Sequence, residues 1–175
     1  MTDTQTVFSE QDEYFMRQAM KLAAQAEEQG EVPVGAVLVR NGEIIAKGWN
    51  QSISTNDATA HAEMQVIRTA GDTIQNYRLL DTTLYVTLEP CPMCAGALLH
   101  SRVKRIVYGA PDLKAGAAGT VLNIFNSPAA YHYATVEKGL LENECREQLQ
   151  AFFKRRRKEI KALKEEKRKL DQEKK

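Results

Sequence analysis

Three residues near the middle of this 175-residue chain, His61, Cys91 and Cys94, have the types and spacing to hold a metal ion. The cysteines form a C-x-x-C pair inside Pro90-Cys91-Pro92-Met93-Cys94, and the histidine opens His61-Ala62-Glu63. A tetrahedral catalytic zinc takes three protein ligands and leaves one position open. One histidine and two cysteines supply that set. A redox-active pair is the other reading of C-x-x-C, and a lone histidine near a helix start is more often structural than ligating. The context favours metal. The chain has three cysteines in all, too few and too odd a number for a disulfide framework. Cys145 stands alone in a helical stretch and reads as a small apolar core residue. His100 and His132 lack a partner motif and read as structural. Glu63 need not bind metal. It can take a proton from an activated water and return it to substrate. On a regular helix, residues 61 and 63 point about 200° apart, so the two converge only on a metal beyond the helix end. The plainer alternative for Glu63 is a surface carboxylate in a first helical turn.

Groups like these need two helix N-termini meeting at one edge of a sheet. The pattern provides them. Ser9 to Gln29 reads as a helix, with Ser9 and Asp12 as a capping pair and Phe15, Met16, Ala19, Leu22, Ala23 and Ala26 at helical spacing. Val34–Arg40 and Glu43–Trp49 read as strands joined by the two-residue turn Asn41-Gly42. A polar loop spans Asn50 to Thr59, and a helix runs from near Ala60 to near Gly71. Thr83–Leu88 is a strand; Pro92 opens a helix to about Ser101. Val103–Tyr108 and Tyr133–Val136 are further strands, separated by a loop over 109–131 with room for a short helix. A last helix starts near Leu140. Two strand–helix–strand units imply parallel pairing with right-handed crossovers. The expected fold is therefore α/β, a three-layer α/β/α sandwich on a mixed sheet of about five strands. His61 would sit in the first turn of the second helix, Cys91 at the cap of the third and Cys94 one turn on, all at the carboxyl edge of the sheet where open α/β folds bind ligands. The positive helix ends would stabilise two thiolates.

Composition narrows the class. Hydrophobic residues make up 43% and charged residues 27% of the chain, as in a globular protein of one domain. Met1 to Phe15 has no basic start and no apolar run, so no targeting segment and no membrane span are expected, and the expected location is the cytoplasm. The net charge of +1 hides an asymmetry: Lys154 to Lys175 holds twelve Lys/Arg against five Asp/Glu. A solvated helix laced with Glu–Lys pairs is one reading of that tail. Contact with a polyanion is the other.

The His61-Ala62-Glu63 and Pro90-to-Cys94 motifs together carry the signature of the zinc-dependent deaminases. The likeness continues in Pro33-Val34-Gly35-Ala36-Val37, Gly48-Trp49-Asn50, Asn76-Tyr77-Arg78-Leu79, Thr87-Leu88-Glu89-Pro90-Cys91 and Gly116-Ala117-Ala118-Gly119. From about Tyr14 to about Arg157 the chain resembles the bacterial tRNA-specific adenosine deaminases of the cytidine/deoxycytidylate deaminase superfamily. The resemblance implies a cytidine deaminase-like fold with a zinc-dependent deaminase domain over 1–158 and a charged helical tail over 159–175. It implies one Zn²⁺ per subunit on His61, Cys91 and Cys94, with Glu63 as proton shuttle. The implied reaction is hydrolysis of adenosine to inosine at the wobble position of a tRNA anticodon loop, by zinc-activated hydroxide, on a base splayed out of the loop. It further implies a homodimer, an arginine tRNA as the expected partner, and no DNA.

Five residues are candidate substrate contacts. Asn50 could bond the base or its sugar, or could be a turn residue. Asp112 could accept a bond from a ribose 2′-hydroxyl, or could be an ordinary turn aspartate. Phe153 could stack on a nucleotide while Arg156 meets phosphate, with Phe152 left to the core. Lys114 opens a glycine-containing stretch to Thr120 that reads as a flexible wall of the site. Two other functions remain open: a deaminase of free bases or nucleosides, and a silent zinc module that only binds RNA, which should have lost Glu63.

Overall fold

The structure, a computed structural model, describes residues 7–173; the first six residues and the last two of the charged tail lie outside the described residues. Five strands and four helices follow one another as α1 (Glu10–Glu28), β1 (Gly35–Arg40), β2 (Glu43–Trp49), α2 (Ala62–Ile74), β3 (Thr82–Leu88), α3 (Pro92–His100), β4 (Arg105–Ala110), β5 (Thr135–Lys138) and α4 (Glu142–Glu173). The strands form one mixed sheet in the order β2-β1-β3-β4-β5.

Local chemistry explains most of these boundaries. Ser9 caps α1 in a full capping box with Asp12. Asn41 and Gly42 both have positive φ, 53° and 77°, as the tight hairpin between the paired Arg40 and Glu43 requires. Beyond α3, Arg102 takes φ 62° and the Val103 N–H bonds back to the Leu98 carbonyl at 3.2 Å. That helix-ending turn consumes Val103 and delays β4 to Arg105, two residues later than its apolar run suggests. The 109–131 region contains no helix.

Two of the expected strand pairings are not both present. β3 and β4 pair in parallel across α3, as expected. β2 and β3, joined through α2, do not pair at all: β1 lies between them, antiparallel to both. β2 and β3 consequently run in the same direction one strand apart. Their carboxyl ends still share an edge, and α2 and α3 both start there.

Side chains of the central strands alternate between two cores. Ala36, Leu38, Leu84, Val86, Ile106 and Tyr108 face α2 and α3. Val37, Val39, Tyr85 and Val107 face α1 and Cys145 of α4. Cys145 is thus a buried core residue, as its setting suggested. No described helix is long and apolar enough to cross a membrane.

A polar clip ties α1 to the sheet. The Asp12 carboxylate accepts from Tyr85 Oη at 2.7 Å and Arg105 Nη1 at 2.6 Å, and Arg105 also pairs with Glu137 of β5. Burial alone would push the Asp12 carboxyl up, but the bonds from Arg105, Tyr85 and Ser9 outweigh it and hold the group well below the ordinary range. A depressed carboxyl stabilises the fold fully above its unfolded value, about 3.9, and loses that contribution as pH falls below it. Asp12→Asn should therefore cost about 2–4 kcal/mol at pH 7. The gap to the parent should narrow as pH falls from about 5 toward 2, which urea unfolding at several pH values will read.

Candidate metal centre and its supporting loops

Both helices at the carboxyl edge begin on a candidate ligand. His61 is the N-cap of α2 (φ −75°, ψ 156°) and Cys91 the N-cap of α3 (φ −74°, ψ 171°), and neither side chain caps its own helix. Both side chains are left to turn outward. The helix-angle argument for positions 61 and 63 fails here, because His61 has extended backbone and precedes the first turn instead of lying in it. The capping duty at α2 passes to Asn50, whose Oδ1 accepts from the Ala62 N–H at 2.9 Å. At α3, Pro92 in the first turn has no N–H to satisfy. α2 also packs tightly on β2: a Cβ on Gly48 would lie 2.5 Å from the Ala62 carbonyl oxygen.

His61 Nδ1 lies 3.6 Å from each of the Cys91 and Cys94 sulfurs. Tetrahedral zinc with ordinary Zn–N and Zn–S lengths separates its nitrogen and sulfur ligands by about 3.6 Å. Both nitrogen–sulfur distances therefore fit zinc as they stand, the three donor atoms lie within 4.8 Å of one another, and among the described residues no other group of metal-ligating side chains gathers in this way. A fourth protein donor is absent from the group, which leaves the open position that catalysis needs. Cys94 is fully buried, while Cys91 and His61 are partly exposed, so access is from one side.

The electrostatics follow from that crowding. A hydrogen bond from Cys94, with further help from His61, lowers the Cys91 thiol to about 4. The same bond, with burial, pushes Cys94 up, so the pair holds one proton between them. The bond to Cys91 raises His61. Glu63, in the first turn of α2, is 4% exposed. Burial pushes its carboxyl up to about 7, and it hydrogen-bonds Cys94 and feels the charges of His61 and Cys91. A carboxyl in that range can accept and release a proton at neutral pH.

Two buried glutamates that the motif analysis passed over brace the loops beside the centre. Glu31, 1% exposed, accepts from the Ile53 N–H at 3.2 Å and the Ser54 N–H at 2.7 Å. Glu89, 2% exposed, accepts from the N–H groups of Asp112, Ala118 and Thr120 at 3.0, 3.0 and 3.1 Å, and from the Thr120 hydroxyl. A Cβ on Gly116 would strike the Glu89 carboxylate. The 114–120 segment is thus a pinned wall, not a flexible one. Only the position of Glu89 directly before Pro90-Cys91 hinted at this. Glu89→Gln turns an amide N–H toward donors that need an acceptor, at a cost of about 1–3 kcal/mol. The expected result is a KM for an RNA substrate raised about tenfold with zinc content unchanged, read by steady-state kinetics and metal analysis.

The remaining candidates separate. Asn50 lies beside the centre and is committed through its oxygen to capping α2. Asp112 takes the turn role: its Oδ1 accepts from the N–H groups of Lys114 and Ala115 at 2.9 and 3.1 Å. Lys114 is exposed on that turn. Phe152 is buried at 3% exposure and Phe153 is 42% exposed, which divides the pair between core and surface. Arg156 is paired with Glu159 at 2.8 Å. His132 sits against the Val103 carbonyl and His100 against the Tyr131 ring, both away from the centre.

Comparison with known proteins agrees with this geometry. Residues 9–110 match the cytidine and deoxycytidylate deaminase zinc-binding region. The chain is 53% identical over 160 residues to the tRNA-specific adenosine deaminase of Haemophilus influenzae, covering 91% of this chain and 92% of that one. A solved structure from work on A-to-I editing by tRNA:A34 deaminases at the wobble position of transfer RNA superposes with a TM-score of 0.76 at 46% identity, over 78% of this chain and 99% of that chain. Guanine deaminase from Bacillus subtilis superposes with a TM-score of 0.56 at 38% identity, over 70% and 82%. The chain belongs to the zinc-dependent cytidine and deoxycytidylate deaminase family, within its tRNA-specific adenosine deaminase branch.

Proposed function

We propose that this protein hydrolyses adenosine to inosine at the wobble position of a tRNA anticodon loop. Near-full-length identity to tRNA-specific adenosine deaminases, joined to a His/Cys/Cys centre of zinc dimensions, supports the reading. His61, Cys91 and Cys94 hold one zinc per subunit. A zinc held there would supply a water made nucleophilic at neutral pH. Glu63 is the catalytic residue: its buried carboxyl would take a proton from the attacking water and pass it to the adenine ring and the departing amine. The positive ends of α2 and α3 face the centre and offset the thiolate charge. Asn50 holds α2, and so His61 and Glu63, in place through Ala62, and its free amide NH₂ addresses the target nucleotide. The Asp112–Lys114 turn and Phe153 line the RNA path, Phe153 by stacking on a base. Arg156 meets phosphate once released from Glu159.

The deaminase domain comprises 1–158, and residues 159–175 form a charged helical extension. We further propose a homodimer in the cytoplasm acting on an arginine tRNA, with no DNA substrate. α3 supports the dimer: it has no charged residue from Pro92 to Leu99 and leaves Met93, Gly96 and Ala97 partly exposed. Beside it lies a groove of about 330 Å³ lined by Ile67, Gly71, Tyr77 and His100.

The likeness to guanine deaminase supports one alternative, a free-base deaminase. A parallel assay of ammonia release from adenosine, cytidine, guanine and an arginine-tRNA anticodon stem-loop separates the two. Release from the stem-loop alone is expected; release from guanine with an inert stem-loop would replace the tRNA reading.

A further inference from the structure

α4 continues without a break from its buried anchor, Cys145 and Phe152, out to Glu173. Its direction follows from three contacts with α1. Glu144 meets Arg17, Gln148 Nε2 donates to the Met20 carbonyl, and Arg155 meets Glu27. The numbers rise together, so α4 runs parallel to α1. α1 in turn starts at the Asp12–Arg105 clip, on the first residue of β4, and passes Gly35, which packs on Ala19 and Ala23 and donates its N–H to Thr87 near the end of β3. α1 and α4 therefore both head toward the carboxyl edge of β3, the edge that carries His61, Cys91 and Cys94. From Ile160 to Gln172 every residue of α4 is exposed, so the helix leaves the body past the metal-centre edge.

The exposed part is not uniformly charged. Lys154, Arg157, Lys161, Lys164 and Arg168 follow one another at spacings of three and four residues. That pattern keeps them within about 80° of arc on one helix face, over a rise of about 21 Å. No acidic residue falls within that arc. Phe153 lies beside its inner end. Glu159 and Glu166 fall on the far side, where Glu159 already engages Arg155 and Arg156. Among the described residues Lys154, Arg157, Lys164 and Arg168 make no ion pair, and Lys161 makes only a long one, 3.9 Å, to Glu165. A helix built only for solubility would intersperse its charges around the surface. Here five cations share one narrow arc that no acidic residue enters, although Glu165 and Asp171 border it about 20° beyond its two edges.

We propose that this stripe is a phosphate rail that grips the helical stem of an RNA whose loop is at the metal centre. The inference rests on the tRNA reading above for the identity of the RNA. It assigns the stem contact to Lys154, Arg157, Lys161, Lys164 and Arg168, and makes Arg157, not Arg156, the first arginine on that face. Regularly spaced phosphates are the chemistry that matches a row of ammonium and guanidinium groups of which four make no ion pair among the described residues, through counterion release and without base contacts.

The test is fluorescence anisotropy of a labelled anticodon stem-loop on the full-length zinc-loaded protein, repeated across salt concentrations. Two triple variants are compared with the parent. Lys161→Gln, Lys164→Gln and Arg168→Gln neutralise the stripe; Lys158→Gln, Lys167→Gln and Lys169→Gln remove the same charge from other faces. The stripe variant should lower the slope of log Kd against log salt by about 2 to 3. The control set should change it by less than 1, and neither should alter binding of the loop heptanucleotide without its stem. Equal losses from both sets, or an unchanged slope, would overturn the rail. So would sedimentation data showing that the apolar residues Ile160, Leu163 and Leu170 pair this helix with a second copy. Deamination of the stem-loop by the parent is scored in the same samples, so failure of the rail and failure of the tRNA reading are told apart.

Discussion

Glu63→Ala is expected to lower deamination of a stem-loop substrate by about 10³-fold or more, while the protein keeps its fold and one zinc per chain. The residue lies inside α2 at 4% exposure, and its carboxyl faces the Cys94 sulfur. Burial has already pushed it up to about 7. Desolvation of this kind disfavours the charged form, so keeping a carboxylate at this position costs stability. Removing a buried carboxylate that makes no ion pair leaves no partner charge stranded. The melting temperature should thus stay level or rise, the reverse of what a structural residue would show. Glu63→Gln should lose as much activity as Glu63→Ala, because shape is kept and the proton is not. Single-turnover kinetics, metal analysis and thermal melting on the same preparation check all three statements.

Loss of the metal is expected to be as severe for activity and, unlike loss of Glu63, to weaken the fold. Chelation, or Cys91→Ser, should abolish turnover. Zinc in thousandfold excess over its Kd stabilises by about 4 kcal/mol. For a chain of this size that is about 10 °C in melting temperature. The loss should stop there. Both cores, around Leu84, Val86 and Ile106 on one side and Met16, Val37 and Tyr85 on the other, close without the centre, so the apoprotein should melt cooperatively. The bond to Cys91 raises His61, and the same sulfur together with burial raises Cys94. Zinc takes the deprotonated forms, so affinity should rise with pH. Calorimetric titration in buffers of differing ionisation heat will read the protons released.

Much of this was legible in the sequence because the signals are local. Ser9 with Asp12, Asn41 with Gly42, and Pro92 after Cys91 each fix a boundary through hydrogen bonds or dihedrals that involve near neighbours. Strand order is not local. The helix between β2 and β3 looks like any parallel crossover, and only the packed sheet shows β1 inserted between them. The status of a carboxylate is not local either. Glu31, Glu89 and Glu159 are one residue type, yet two are buried braces and the third is a surface partner that occupies Arg156. His61 was legible as a candidate ligand but its N-cap position was not, since Asn50 supplies its helix's cap from another segment. Asp112 shows the same limit. Its motif position marked it for RNA, and its carboxylate closes a turn on Lys114 and Ala115.

The central claim is that water displaces ammonia from one adenine in a folded anticodon loop. The direct test is to incubate the zinc-loaded protein with an arginine-tRNA anticodon stem-loop in ¹⁸O-labelled water, digest the RNA, and weigh its nucleosides. The expected product is one inosine per loop, carrying one ¹⁸O and located at the wobble position. A stem-loop that keeps its adenosine while free guanine gains ¹⁸O would contradict it.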